Sequence, residues 1–87
     1  MDEEFELEVP PDVAAGVYSD YLHSWFTAHE LVLDFAAPTS ADGVLVSARV
    51  RVPATAAVDL ANTLADRVRR YELEFGEIHR PRRRGDE

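Results

Sequence analysis

Apolar and polar residues alternate most regularly in the middle of the chain. Residues 44–52, VLVSARVRV, place an apolar side chain at every second position, which is the period of a strand with one buried face. Residues 30–36, ELVLDFA, show the same period. Between them, residues 37–43, APTSADG, have the proline, serine and Asp-Gly composition of a loop. The pattern therefore predicts a two-stranded hairpin.

Each predicted strand of this hairpin has an apolar face. In the first strand that face consists of Leu31, Leu33 and Phe35. In the second, alternation puts Val44, Val46, Ala48, Val50 and Val52 on one face and Leu45, Ser47, Arg49 and Arg51 on the other. If the apolar faces coincide, Glu30 lies opposite Arg49 or Arg51, and such a cross-strand pair contributes roughly 0.2–1 kcal/mol.

Pro53 is predicted to end the strand, and a long amphipathic helix is predicted to follow it to about Phe75. Large apolar residues recur there at steps of three and four, and we expect them to be core: Leu60, Leu64, Val68, Tyr71 and Phe75. Thr55 is the candidate N-terminal cap. Gly76 is a typical residue just past a helix C-terminus, because glycine adopts a left-handed backbone at little cost.

Residues 16–26 are rich in aromatic side chains and fit two different elements. The apolar and aromatic residues fall at helical spacing, which is typical of an amphipathic helix: Tyr18, Tyr21, Leu22, Trp25, Phe26 and His29. As a strand, the segment has two apolar faces and the valine and aromatic content that strands favour. Periodicity alone does not separate the two in so short a segment.

Both ends differ in composition from residues 13–78, which we expect to form one domain. Residues 1–12 contain six acids and no base, while Phe5, Leu7 and Val9 alternate with glutamates. That segment is therefore either a solvated acidic arm or an edge strand. Residues 79–87 are rich in arginine and broken by proline, and a flexible tail is expected.

Length and charge narrow the function classes. A chain of 87 residues buries only roughly 60–65% of its unfolded surface, and without cysteine it has no disulfide to add stability. We therefore expect a homo-oligomer, a dimer or larger. The net charge of −8 opposes binding to nucleic acid or anionic membranes. With neither a signal-peptide pattern nor a spanning apolar run, the sequence predicts a cytoplasmic protein without membrane insertion.

No arrangement typical of an active site is found. His23, His29 and His79 lack metal-ligand spacing, and the glycines form no phosphate loop. Asp20 and Asp34 could face each other across a hairpin, but turns and ion pairs are the expected roles. We therefore expect no enzyme, no catalytic residue, no metal and no cofactor.

The central stretch and the end of the helix resemble the domain of unknown function 3467 family, small bacterial proteins with no established activity. The matching positions are Gly16, Tyr18, Asp20, Trp25, Thr27-Ala28, Glu30, Leu31 and Asp34-Phe35, then Tyr71-Glu72 and Phe75-Gly76-Glu77-Ile78. Ala28 stands where the family has proline, Leu31 where it has an aromatic and Asp20 where it has asparagine. The resemblance implies a chain reversal at residues 27–28, which favours strand–turn–strand over residues 16–35.

Two surfaces are candidates for binding. One helix covers one face of a small sheet, so the other face would display apolar groups that mark an interface with another subunit or with a partner protein: Tyr21, Trp25, Val32 and Leu45. The alternative is nucleic-acid binding through basic residues on the sheet face and the tail: Arg49, Arg51, Arg80, Arg82, Arg83 and Arg84.

The sequence thus predicts an α+β fold: an antiparallel sheet of three to four strands followed by one long C-terminal helix. In outline this resembles the export chaperone SecB, although an architecture does not assign a function. The expected function is a non-enzymatic homo-oligomeric protein-binding module, which would act as a chaperone-like protein, an adaptor or an assembly subunit. Its partner protein is not specified by the sequence, and nucleic-acid binding is the alternative.

Overall fold

The fold is known from a computed structural model, which describes residues 6–79. Its elements in chain order are α1 (Pro11–Ala14), β1 (Tyr21–Phe26), β2 (Glu30–Pro38), β3 (Val44–Pro53) and α2 (Ala54–Phe75). The three strands form one antiparallel sheet in the order β1-β2-β3. The predicted α+β class, a small antiparallel sheet followed by one long helix, is confirmed.

The segment with two interpretations contains a strand, but a shorter one than the family resemblance implied. β1 begins at Tyr21, and residues 16–20 have no regular structure. The reversal falls at residues 27–29 as expected. Thr27 organises it, because its Oγ1 accepts hydrogen bonds from the amides of His29 (3.2 Å) and Glu30 (3.3 Å). The threonine side chain thus holds the turn without the proline of the family pattern.

The loop between β2 and β3 is tighter than predicted, since β2 continues through Pro38. Thr39 closes it: its Oγ1 accepts the amides of Ala41 and Gly43, both at 3.2 Å. The Thr39 amide in turn donates to the Gly43 carbonyl at 2.9 Å. Asp42 takes a positive φ of 56°, a conformation that aspartate tolerates better than most residues.

A bulge in β3 interrupts the pairing of β2 with β3. Phe35 pairs with Ala48 but Ala36 pairs with Val46, which leaves Ser47 as the extra residue. A bulge of one residue changes which side chains face each side of the sheet. The regular alternation predicted for residues 44–52 therefore holds only from Ala48 onward.

The bulge corrects the predicted position of Leu45. This residue pairs with Ala37, so it lies on the face that carries Phe35 and not on the face that carries Arg49. Val46 lies on the face that carries Arg49, because its partner on β2 is Ala36. Glu30 was predicted to lie opposite Arg49 or Arg51, but the residue opposite it in the register is Pro53.

α2 begins directly at the end of β3. The amide of Ala54, its first residue, donates to the carbonyl of His29 at 3.0 Å, which ties the helix to the β1–β2 turn. No side chain caps the N-terminus, so the cap predicted for Thr55 is wrong. The predicted end at Phe75 is confirmed, and Gly76 follows with a φ of 98°.

The core of one protomer is small. Within residues 6–79, the buried residues are Val32, Leu33, Asp34 and Ala36, all on the central strand. The helical residues Leu64, Val68, Tyr71 and Phe75 are 46–68% exposed. The prediction that they belong to the protomer's core is therefore wrong.

The N-terminal segment is partly described. Residues 6–10 form no strand, and the single helical turn of α1 follows without having been predicted. Phe5 and the arginine-rich tail after His79 lie outside the described residues. None of the helices in the described part is long and apolar enough to cross a membrane.

Replacing Thr27 by valine should destabilise the fold by about 1–2 kcal/mol, because two turn amides lose their acceptor while the side-chain shape is kept. Urea unfolding followed by circular dichroism measures this difference. Thr55→Val is the matched control, since Thr55 is exposed on the first turn of α2 and its loss should change stability by no more than a few tenths of a kcal/mol. Equal effects of the two substitutions would contradict the assigned role.

Candidate interaction surfaces

The sheet face opposite α2 combines aromatic, charged and small side chains, and we call it the arginine face. β1 contributes Tyr21, His23 and Trp25, which pair with Ala36, Asp34 and Val32 of β2. Across β2, Asp34 pairs with Arg49 and Val32 with Arg51. Alternation along three neighbouring strands thus brings these residues into three cross-strand rows.

Asp34 lies at the centre of the arginine face. The guanidinium of Arg49 donates two hydrogen bonds to its carboxylate, from Nε to Oδ1 at 2.6 Å and from a second nitrogen to Oδ2 at 3.0 Å. His23 Nδ1 lies 3.9 Å from Oδ2 on the other side. The hydrogen bonds from Arg49 lower the pKa of Asp34 against the opposing effect of burial, and the same pair raises the pKa of Arg49.

The second arginine of this face is also paired. Arg51 lies 3.0 Å from a carboxylate oxygen of Glu30, its diagonal neighbour on β2. The predicted association of Glu30 with Arg51 therefore exists between the side chains, although their backbones are not opposite one another. Both arginines on the described sheet thus have a carboxylate partner, which neutralises much of their positive potential.

The chain before β1 lies across one end of the arginine face. Ser19 Oγ donates to the carbonyl of Ala36 at 2.9 Å, and Ser47 Oγ donates to the carbonyl of Tyr18 at 3.4 Å. The segment therefore reaches from β2 to β3, and Ala36 beneath it is buried. The Tyr18 hydroxyl donates to Asp20 at 3.2 Å, and the charge of Asp20 raises the pKa of Tyr18.

The residues predicted to form an interface divide into three groups. Tyr21 and Trp25 are each 44% exposed on the arginine face. Val32 lies between Trp25 and Arg51 in the register but is 3% exposed, so it offers almost no surface of its own. Leu45 is 67% exposed on the helix side, away from the other three. The structure therefore brings together Tyr21, Trp25 and Val32 but not Leu45.

An apolar cleft lies between the sheet and the first half of α2. It has a volume of about 360 Å³, and its lining is formed by Leu22, Leu31, Leu33, Phe35, Val52, Ala57, Leu60, Ala61 and Leu64. Leu60 and Leu64 were expected to be core, and Leu31, Leu33 and Phe35 were expected to form the apolar face of their strand. Leu22 was noted for its helical spacing and not as part of this lining, and its position opposite Phe35 follows once β1 is placed in the sheet.

The second half of α2 carries a further apolar surface, which we call the distal stripe: Leu64, Val68, Tyr71 and Phe75. A shallow depression beside it is lined by Leu64, Arg67, Val68, Tyr71 and Ile78. The rings of Tyr71 and Phe75 are in contact, with centroids 5.0 Å apart. Past Gly76 the chain returns to the helix, where the Ile78 amide donates to the Glu72 carboxylate at 3.0 Å.

The polar groups on the arginine face form ion pairs. In the described part of the chain, no group of three or more His, Cys, Asp and Glu side chains could hold a metal ion. The residue of β1 opposite Asp34 is His23. Asp20 was expected to be able to face Asp34, but it precedes β1 and its amide donates to the carbonyl of Ala36. Asp34 was the central residue that sequence reasoning undervalued, and its signal was a carboxylate placed between Leu33 and Phe35.

Fold and surfaces together define a small α+β protein with an incompletely covered apolar side and an ion-paired aromatic side. A family model described as "Protein of unknown function (DUF3467)" matches residues 1–80. The chain belongs to this family, as the residue pattern suggested, and the match also includes the acidic N-terminal segment. Neither a curated protein nor a solved structure matches the chain.

Replacing Asp34 by asparagine should remove a pH-dependent part of the stability. The pKa of Asp34 is lowered from its ordinary value of 3.8, so its carboxylate stabilises the fold above that pH and this contribution is lost as the pH falls through the folded-state pKa. Asp34→Asn should therefore be less stable than the parent at pH 7, and the gap should narrow toward pH 3. Urea unfolding at fixed protein concentration measures both values.

Glu30→Gln is the control for this prediction, because Glu30 forms a more exposed pair with Arg51. Its effect at pH 7 should be smaller than that of Asp34→Asn, as expected for a solvated ion pair. An Asp34→Asn gap that stays constant from pH 7 to pH 3 would show that the carboxylate charge is not responsible.

Proposed function

We propose that this protein is a non-enzymatic, homo-oligomeric protein-binding module that acts by associating with itself and then with a partner protein. The observation that carries the proposal is the exposure of the helix. Leu64, Val68, Tyr71 and Phe75 have the spacing of core residues, yet each is about half or more exposed in one protomer. Contiguous apolar surface of this kind is typical of protein–protein interfaces.

The second support is the small size of the protomer's core. In the described residues, Val32, Leu33 and Ala36 are the buried apolar side chains. A domain of this length has little stability to spare even with a well-filled core, and disulfides are not available to it. Association that covers the cleft and the distal stripe would supply the missing burial.

The arginine face is the surface we assign to the partner protein. Tyr21 and Trp25 combine an apolar ring with a polar group, a type of side chain that is enriched at interfaces. They lie beside two ion pairs, Asp34–Arg49 and Glu30–Arg51, which give the face a mixed polar character. Such a surface is suited to a reversible contact with another protein.

The same ion pairs weigh against nucleic acid. Arg49 and Arg51 would have to leave carboxylates at 2.6 Å and 3.0 Å to bind phosphates. The net charge of −8 adds repulsion at long range. Arg80, Arg82, Arg83 and Arg84 lie outside the described residues and remain sequence predictions.

The proposal includes roles as a chaperone-like protein, an adaptor or an assembly subunit. An antiparallel sheet followed by a long helix resembles SecB in outline only. Because a shared architecture does not assign a function, this resemblance adds no support for a chaperone-like role. A cytoplasmic location is part of the same proposal and depends on the sequence expectation alone.

Light scattering on the purified chain at micromolar concentration tests the self-association. One chain has a mass of 9.8 kDa, and we expect twice this mass or a larger multiple. Burial of the distal stripe is expected to drive this self-association, since each large apolar side chain contributes roughly 1.5–3 kcal/mol when fully buried. A monomer over the whole micromolar range would contradict the proposal.

A further inference from the structure

The distal stripe has the spacing of a coiled-coil seam. Steps of four, three and four residues separate Leu64, Val68, Tyr71 and Phe75. Such steps keep side chains on one line of a helix, where they pack against a neighbouring helix as knobs into holes. The seam covers about three turns, or roughly 18 Å of helix. It is continuous with the apolar cleft, because Leu64 belongs to both.

We propose that the occupant of this seam is α2 of a second copy, packed antiparallel, and that the end of each helix closes the cleft of the other copy. The inference rests on the self-association proposed above and specifies where it occurs. In the proposed register Leu64 faces Phe75 of the second copy, and Val68 faces Tyr71. The two-fold axis makes each of these contacts occur twice.

Side-chain volume favours the antiparallel direction. Each layer then pairs a smaller with a larger residue, leucine with phenylalanine and valine with tyrosine. A parallel pair would instead set Phe75 against Phe75 and Val68 against Val68, which overfills one layer and leaves the other short. Closely packed interfaces require nearly even filling, so the antiparallel register is the better match.

The cleft also favours this direction. An antiparallel partner brings its Phe75 level with Leu64, at the end of the apolar cleft of about 360 Å³. The residues after Phe75 of the second copy then continue toward Ala61 and the sheet. In a parallel pair both helix ends would point away from the sheets, and both clefts would stay open.

Charges on one flank of the seam are complementary in the same register. Arg67 precedes Val68 and lines the depression beside the stripe, and its exposed guanidinium also contacts Asp66 at 3.0 Å. In an antiparallel pair equivalent flanks meet, which places Arg67 beside Glu74 of the second copy. The antiparallel arrangement also sets opposite ends of the two helix dipoles side by side.

To bury enough area for a stable dimer, the interface must include the cleft as well as the seam. From their exposed fractions, the four side chains of the distal stripe offer on the order of 500 Å² per copy. Stable interfaces bury roughly 800 Å² per partner, so helix pairing alone would be too small. Closure of the cleft by the partner's helix end supplies the remainder.

Site-specific disulfides test the register, and the chain has no cysteine of its own to interfere. Leu64→Cys and Phe75→Cys variants, mixed and oxidised at tens of micromolar, should form a covalent heterodimer. Each variant alone should give at least 5-fold less cross-linked product. The matched control is a mixture of Asn62→Cys and Leu73→Cys, which lie at nearly the same levels on the outer faces of the helix and should not cross-link.

The outcomes separate this inference from the proposed function. Strong cross-linking of Leu64→Cys alone would indicate parallel helices and overturn the register. A dimer by light scattering with no cross-link in the mixture would place the interface elsewhere and leave self-association intact. A monomer would overturn both.

Two further measurements apply if the cysteine variants fold poorly. Arg67→Glu should weaken dimerisation about 5- to 10-fold, and adding Glu74→Arg should restore it, as expected for one specific charge pair. The single tryptophan, Trp25, reports on the opposite face of the sheet. Its emission should be unchanged on dilution from dimer to monomer. Failure of the charge reversal to restore binding, or a red shift of Trp25 on dilution, would overturn the inference.

Discussion

One helix must cover a sheet that is wider than itself, and the rest of the structure follows from this constraint. Three strands at about 4.8 Å spacing with their side chains exceed the roughly 10 Å diameter of a helix. Leu22 and Phe26, on the helix side of β1, therefore remain 50% and 76% exposed. Since α2 starts directly from β3 and is fixed to the β1–β2 turn, it cannot shift to cover them. The apolar side of the protomer is thus left open by its connectivity.

Within residues 6–79, no helix or strand packs on the opposite face, and most of it is shielded by its own long side chains. Val32 and Ala36 are small and central, and they alternate with Asp34 along β2. A carboxylate in that position would be costly without a partner, and the fork of Arg49 satisfies both of its oxygens. Because a shift of one residue would separate this pair, the ion pair also favours a single register between β2 and β3.

The sequence allowed β2, β3, the long helix and its end at Gly76 to be predicted because each depends on a periodic or local signal, whereas β1 was favoured over a helix by the family resemblance. The bulge at Ser47 was not predictable, since serine is equally compatible with a regular strand, and this single residue moved Leu45 to the other face. Thr27 could be placed in a turn, but its two hydrogen bonds required the geometry. For the candidate surfaces, alternation correctly grouped Tyr21, Trp25 and Val32, whereas the burial of Val32 depends on neighbouring strands.

The helical stripe shows why a burial pattern does not identify the covering chain. Steps of three and four residues indicate that one side of a helix avoids water, and Leu60 and Leu64 do so at least partly against their own sheet. Tyr71 and Phe75 continue the same pattern beyond the cleft. Within residues 6–79 of one protomer, these two side chains remain 51% and 68% exposed. A pattern that continues past the end of the available sheet is itself an argument for a second chain. If the second copy takes the helix side, the arginine face stays accessible, and assembly and partner binding can then proceed without competing for one surface.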